Sequence, residues 1–217
     1  MAQAAFLSFR VGICSTLFCV AVGLPVAWLL ARRRFAGRSV AEALTMLPLV
    51  LPPTVMGFYL LILVGRDTVI GRTWQAITGT TLVFSFWGIV LAASVGSAPL
   101  FIRQAQSAIA AVDPELEAIA RVHGADRIQT IRSVVWPLAR GGIFAGAALA
   151  FARSLGDFGA TLMVGASIPG RTRTLALEVY DKWQSGHDQA AFGAALLLSG
   201  IGVAVVTLVS RLAVKAD

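Results

Sequence analysis

Charged side chains are scarce in this 217-residue chain: Asp, Glu, Lys and Arg make up 13% of it, against 57% hydrophobic residues. Soluble domains carry about 25% charged residues. A deficit this deep leaves too little charge to coat a water-facing surface, which excludes an ordinary soluble domain and points to an integral membrane protein. Cysteine is rarer still. Cys14 and Cys19 lie in one apolar run, five residues apart and without His or carboxylate neighbours, so they read as small packing residues rather than a disulfide or metal site. His123 and His187 also lack ligand spacing, and no metal centre is expected. No HExxH, nucleophile elbow or cluster of His and carboxylates is present, which argues against a membrane-embedded enzyme. Lys and Arg number 18 against 11 Asp and Glu. That excess would suit nucleic acid only on a soluble basic face; here the charges lie between apolar runs, so lipid is the expected partner and nucleic acid is not.

What is abundant is long apolar sequence. Charge-free runs of about 20 residues are enough to cross roughly 30 Å of hydrocarbon as helices. The expected fold is an all-α integral membrane protein, one transmembrane domain over 1–217, with about five spans near 11–31, 43–65, 82–102, 139–165 and 189–211. The first run has Arg32, Arg33 and Arg34 after it and only Arg10 before it, the reverse of a signal peptide's flanks, so it is expected to be a retained helix. With the N-terminus outside, segments 32–42, 103–140 and 211–217 lie inside and hold 11 basic residues, while the outer segments hold 6. The positive-inside rule therefore favours an N-out, C-in arrangement in the cytoplasmic membrane.

Three features inside the spans stand out. Pro48, Pro52 and Pro53 interrupt span two, removing helix hydrogen bonds that only protein or water can replace; this suits either a kinked packing helix or a bent one lining a passage. Gly142, Gly146 and Ala150 form a face of small residues that permits close helix approach, and Gly193, Gly200 and Gly202 repeat the tendency in span five. Arg153 and Asp157 lie four apart near mid-membrane depth, either as a buried self-neutralising pair or as part of a passage or gate, with Gly156 and Gly159 able to break the helix there.

The segment 103–138 carries the clearest local code. Asp113-Pro114-Glu115 reads as an N-cap, a first helical residue and an acid in the first turn. Leu116, Ile119, Ala120 and His123 follow at helical spacing, Gly124 suits a left-handed C-terminus, and Asp126 caps a second helix expected to end before Pro137. Such a helix, corner and helix can dock in a groove of a soluble partner. Its acids, Asp113, Glu115, Glu117 and Asp126, suit an anionic lipid surface poorly.

ELEAIARVHGADRIQTIRSVVWPLA resembles the EAA loop of bacterial ABC-importer permeases. Gly124 and Pro137 are thirteen apart as that pattern requires, Ala120 matches its second alanine, and Val134 replaces its isoleucine. Ala118, Ile119 and Trp136 depart from it, with Glu115 and Glu117 able to supply the acidity just upstream. LPLVLPPTVMGFYLLILVGRD, FSFWGIVLAASVGSAPLFIRQ and ARSLGDFGAT followed by IPGRTRT extend the likeness over nearly the whole chain, to the permease subunit of molybdate-type ABC importers. Permeases for tungstate and sulfate or thiosulfate are near relatives.

The resemblance implies a homodimer enclosing a passage, a cytoplasmic coupling helix between spans three and four that docks into an ABC-type ATPase, and an extracytoplasmic oxyanion-binding protein. It implies docking residues Glu115, Leu116, Glu117, Ala120, Gly124, Ala125 and Asp126, and passage or gate residues Pro52, Pro53, Arg153, Asp157 and Gly159. No catalytic residue and no cofactor of the chain's own are expected. ATP and Mg belong to the partner, since no Gly-Lys-Ser/Thr phosphate loop occurs here. Ala176, Val179, Tyr180 and Trp183 suggest an amphipathic outer helix, either an interfacial anchor or a binding-protein contact. Arg66, Arg72, Arg171 and Arg173 would make the outer mouth attractive to an anion. The competing class is a self-sufficient secondary anion carrier, which would need coupling residues or repeats of its own.

Overall fold

A computed structural model describes residues 1–214, with side chains through residue 207; of the expected inner segment 211–217, residues 215–217 and the side chain of Arg211 fall outside those limits. Helix α1 (Ala2–Arg32) runs parallel to its main neighbour α5 (Phe86–Ala110), with Cys19 beside Ser94, Gly23 beside Phe101 and Arg32 beside Val112, and α8 (Trp136–Leu155) packs on both. The join is a core of Cys19, Ala27, Leu30, Phe101, Ala105, Ile109, Val135, Ala139 and Ala150, all almost fully buried. Close approach comes from small residues. A Cβ at Gly23 would lie 2.7 Å from the Phe101 ring, and one at Gly146 would lie 3.1 Å from Gln104 Cβ. The Gly142, Gly146, Ala150 face thus packs on α5 as expected, whereas Gly200 and Gly202 on α11 (Asp188–Val214) meet nothing within 4 Å.

Span two is not one kinked helix. It divides into α2 (Arg38–Val50) and α3 (Pro53–Val64), set at 112°. A residue before proline is driven out of the α region. Leu51 precedes Pro52 and Pro52 precedes Pro53, so both adopt extended ψ values of 141° and 135°. Two adjacent extended residues end a helix rather than bend it, and Pro53 then starts the next one at a position where its missing N–H costs nothing.

The expected span four differs at both ends. Helix α7 (Arg127–Thr130) does not stop before Pro137; a π-helical stretch, Ile131–Val135, leads directly into α8. There the Trp136 N–H reaches back to the Ile131 carbonyl, and the wider turn accommodates the proline's missing donor. At the other end α8 stops at Leu155, and Gly156, Asp157 and Phe158 lead into the seven-residue α9 (Gly159–Gly165), which continues along α5 toward Gly88 and Ile89, so the 139–165 span is a helix, a break and a short second helix. The outer segment 66–81 contains α4 (Val69–Thr78), capped by Thr68 and closed by Gly79 at φ +70°.

Candidate functional site

At one end of the bundle, α6 (Pro114–Val122) and α7 form a rigid corner. The Asp113 carboxylate accepts the Glu115 N–H at 2.8 Å and caps α6. At its far end the Ala125 N–H donates to Ala120 O and the Gly124 N–H donates to Arg121 O, both at 3.0 Å, with Gly124 at φ +89°. That paired bonding is a Schellman closure, and it requires the left-handed residue glycine supplies. Asp126 and Gln129 then exchange a reciprocal capping box at 2.7 and 2.9 Å. The Asp113 cap, the Gly124 turn and the Asp126 cap were readable from residue types; the Gln129 half of the capping box was missed.

The docking residues do not share one role. Glu115, Leu116, Gly124 and Asp126 are exposed, and Ala120 and Ala125 are half-buried. Glu117 instead turns inward, forms an ion pair with Arg32 at the end of α1 and meets Arg121 at 3.4 Å. Its charge holds α6 to α1. No residue of α6 is buried, and Leu116, Ile119, Val122 and nearby Ile128 are 43%, 54%, 86% and 62% exposed. The atypical positions Ala118, Ile119 and Trp136 are exposed too.

Deeper in the bundle, the second group also comes together. Arg153 Nη1 lies 3.4 Å from Asp157 Oδ1; Arg153 keeps 28% of its side chain exposed and Asp157 only 1%. The pair does not share a regular helix face, because Asp157 sits in the break between α8 and α9. From there its Oδ2 accepts the Thr161 N–H at 3.0 Å, while the Thr161 hydroxyl donates to Asp157 O at 2.9 Å. A Cβ at Gly159 would lie 2.9 Å from Pro53 Cβ, so α9 seats directly on the start of α3. Pro52 and Pro53 remain exposed beside it. Thr161 was missed in the sequence because a lone threonine carries no pattern of its own.

At the opposite end from the corner, IPGRTRT folds as a compact turn. The Arg171, Thr172 and Arg173 N–H groups all point at Ile168 O at 3.0–3.1 Å, and the fully buried Thr172 hydroxyl donates to Gly165 O at 2.7 Å. Helix α10 (Leu175–Gln184) follows, and its Leu175 N–H donates to Ser8 on α1. Arg173 is not a free cation: it pairs with Asp181 at 2.7 Å and approaches Glu178 at 3.9 Å. Arg66, Arg72 and Arg171 are exposed. The Tyr180 ring packs at a tilt against Phe158, centroids 5.0 Å apart, tying α10 to the break, and Trp183 is 63% exposed.

Comparison with known proteins matches this architecture. A family model described as the binding-protein-dependent transport system inner membrane component covers residues 23–216. The chain is 41% identical to the molybdenum transport system permease protein ModB of Escherichia coli K12, over 95% of this chain and 90% of that one. It is 46% identical to a probable molybdenum ABC transporter permease protein of Haloferax volcanii, over 91% and 70%. The fold is similar to a chain of the inward-facing MetNI methionine ABC transporter, with a TM-score of 0.75, 18% identity and coverage of 100% and 96%. The chain thus belongs to the family of binding-protein-dependent transport system inner membrane components.

Proposed function

We infer that this chain is the membrane-spanning subunit of an ATP-driven importer that moves an oxyanion, molybdate, inward across the cytoplasmic membrane. Support for the cargo comes from the molybdenum-transport relatives, two of which match it over more than nine-tenths of its length. The chain is a transporter subunit and not an enzyme; hydrolysis of ATP, with its Mg, belongs to a separate ATPase. An extracytoplasmic protein delivers the anion.

The observation that carries the mechanism is the unpartnered apolar face of a fully capped corner. Leu116, Ile119, Val122 and Ile128 are open to solvent although the backbone around them is rigidly bonded. An exposed cluster of this kind marks an interaction site, and helix-in-groove docking suits it. In this reading α6 lies on the cytoplasmic side, the N-terminus is outside and the C-terminus inside, and the ATPase grips α6. The Arg32–Glu117 pair carries its movement to α1, and the π-helical stretch carries it without interruption into α8. Two copies of the chain enclose the passage, with Pro52, Pro53, Arg153, Asp157 and Gly159 along it. Closure of the ATPase biases a two-state bundle toward the outward-open form.

Affinity purification of the tagged chain from native membranes, with mass spectrometry, tests the assembly. Two copies of the chain with two of a cassette ATPase are expected. Recovery of the chain alone, moving anion in vesicles without ATP, would sink the reading in favour of a self-sufficient carrier.

A further inference from the structure

Where α1 ends against the α6–α7 corner, the structure holds a cavity of about 530 Å³ whose charged lining is four guanidinium groups, Arg32, Arg33, Arg121 and Arg127, and one carboxylate, Glu117. Glu117 is already engaged by Arg32 and Arg121. Arg33 and Arg127 are exposed, and no hydrogen bond or ion pair holds the side chain of either among the described residues. Arg32 Nε is buried with no acceptor. The cavity therefore carries excess positive charge and unused N–H donors, a combination that selects an anion with several oxygens. Guanidinium groups bind phosphate oxygens in pairs of parallel hydrogen bonds.

Location narrows the class further. Helix α1 has 31 residues, about 46 Å at 1.5 Å per residue, against roughly 30 Å of hydrocarbon. Its last turn thus stands at headgroup depth. Trp28, one turn before Arg32, lines the same cavity, and tryptophan favours that boundary. Basic pockets between spanning helices at this depth suit phospholipid headgroups. We propose that the arginine-lined cavity between α1 and the α6–α7 corner binds the phosphate headgroup of an anionic lipid. The lipid bridges Arg33 at the end of α1 to Arg127 on α7, adding a contact to the joint made by the Arg32–Glu117 pair. Assignment of the cavity to the cytoplasmic leaflet rests on the orientation proposed above; the binding itself does not.

The test is native mass spectrometry of the full-length chain, in the complex recovered with it from membranes, titrated with phosphatidylglycerol or phosphatidylcholine. One tightly held phosphatidylglycerol per chain is expected, at least tenfold preferred over phosphatidylcholine. At about fivefold per basic residue near a membrane surface, R33Q/R127Q should weaken it roughly 30-fold, and R33K/R127K should recover part of the loss. The exposed pair R66Q/R72Q should leave it unchanged. Equal phosphatidylglycerol affinity in the wild type and R33Q/R127Q would overturn the proposal. Displacement of the lipid by inorganic phosphate at comparable concentration would overturn it too, assigning the cavity to a soluble anion. Transport plays no part in this readout, so its failure and that of the importer reading are separable.

Discussion

Replacing Gly124 by valine isolates the corner from the rest of the protein. Gly124 sits at φ +89°, and a Cβ there would meet nothing within 4 Å. The penalty is therefore one of backbone conformation and not of crowding. A residue with a Cβ costs about 1–2 kcal/mol in the left-handed region, and a β-branched one belongs at the upper end. At about 2 kcal/mol the balance between the closed corner and an unwound one shifts roughly 30-fold. Unwinding would release the Ala125 to Ala120 and Gly124 to Arg121 hydrogen bonds and misplace Leu116 and Ile119 relative to Ile128. No part of the α1–α5–α8 core touches Gly124, so membrane abundance and thermal stability should hold. In proteoliposomes with the ATPase and binding protein, Gly124→Val should fall below about a tenth of wild-type uptake. Gly124→Asn, which tolerates the left-handed region, should keep at least about half. Normal uptake by Gly124→Val at normal abundance would refute the reasoning.

Other perturbations probe separate parts of the account. Ile119→Asp places a charge on the exposed apolar face and should reduce co-purification of the ATPase at least tenfold while the chain inserts normally; unchanged recovery would remove α6 as the docking element. Arg153→Gln and Asp157→Asn should each impair uptake, and the double variant should recover about 1 kcal/mol of coupling; strictly additive losses would show that the 3.4 Å pair does not act as a unit. Gly23→Val forces a side chain against Phe101 and Ile102, where a Cβ would already lie 2.7 and 3.1 Å away. Overpacking of that kind costs about 1–3 kcal/mol, so the melting midpoint in detergent should drop by several degrees, and an unchanged midpoint would mean the α1–α5 contact is looser than described.

Residue types that act on their own backbone told most of their story in the sequence. Asp113, Gly124 and Asp126 announced the corner because caps and left-handed glycines are local chemistry. Pro52 and Pro53 announced a disruption, but its 112° outcome depends on α3 seating against α9 through Gly57, Ala160 and Gly159, which no local pattern encodes. Pro137 misled for a related reason: the π-helical stretch before it lets the chain continue as helix, with Val135 and Ala139 buried on either side. Helix α4 had its signals in Thr68 and Gly79, yet its ten residues are too short to compete with the spans for notice. Glu117 could be placed on α6 but not turned toward Arg32, because that partner lies 85 residues earlier and its choice is tertiary.

The most direct measurement is uptake of molybdate into proteoliposomes containing this chain, its ATPase and the binding protein, with ATP inside or omitted and with sulfate as competitor. The account predicts accumulation only when ATP and binding protein are both present, unaffected by a large excess of sulfate. Accumulation without ATP, or equal transport of sulfate, would contradict it.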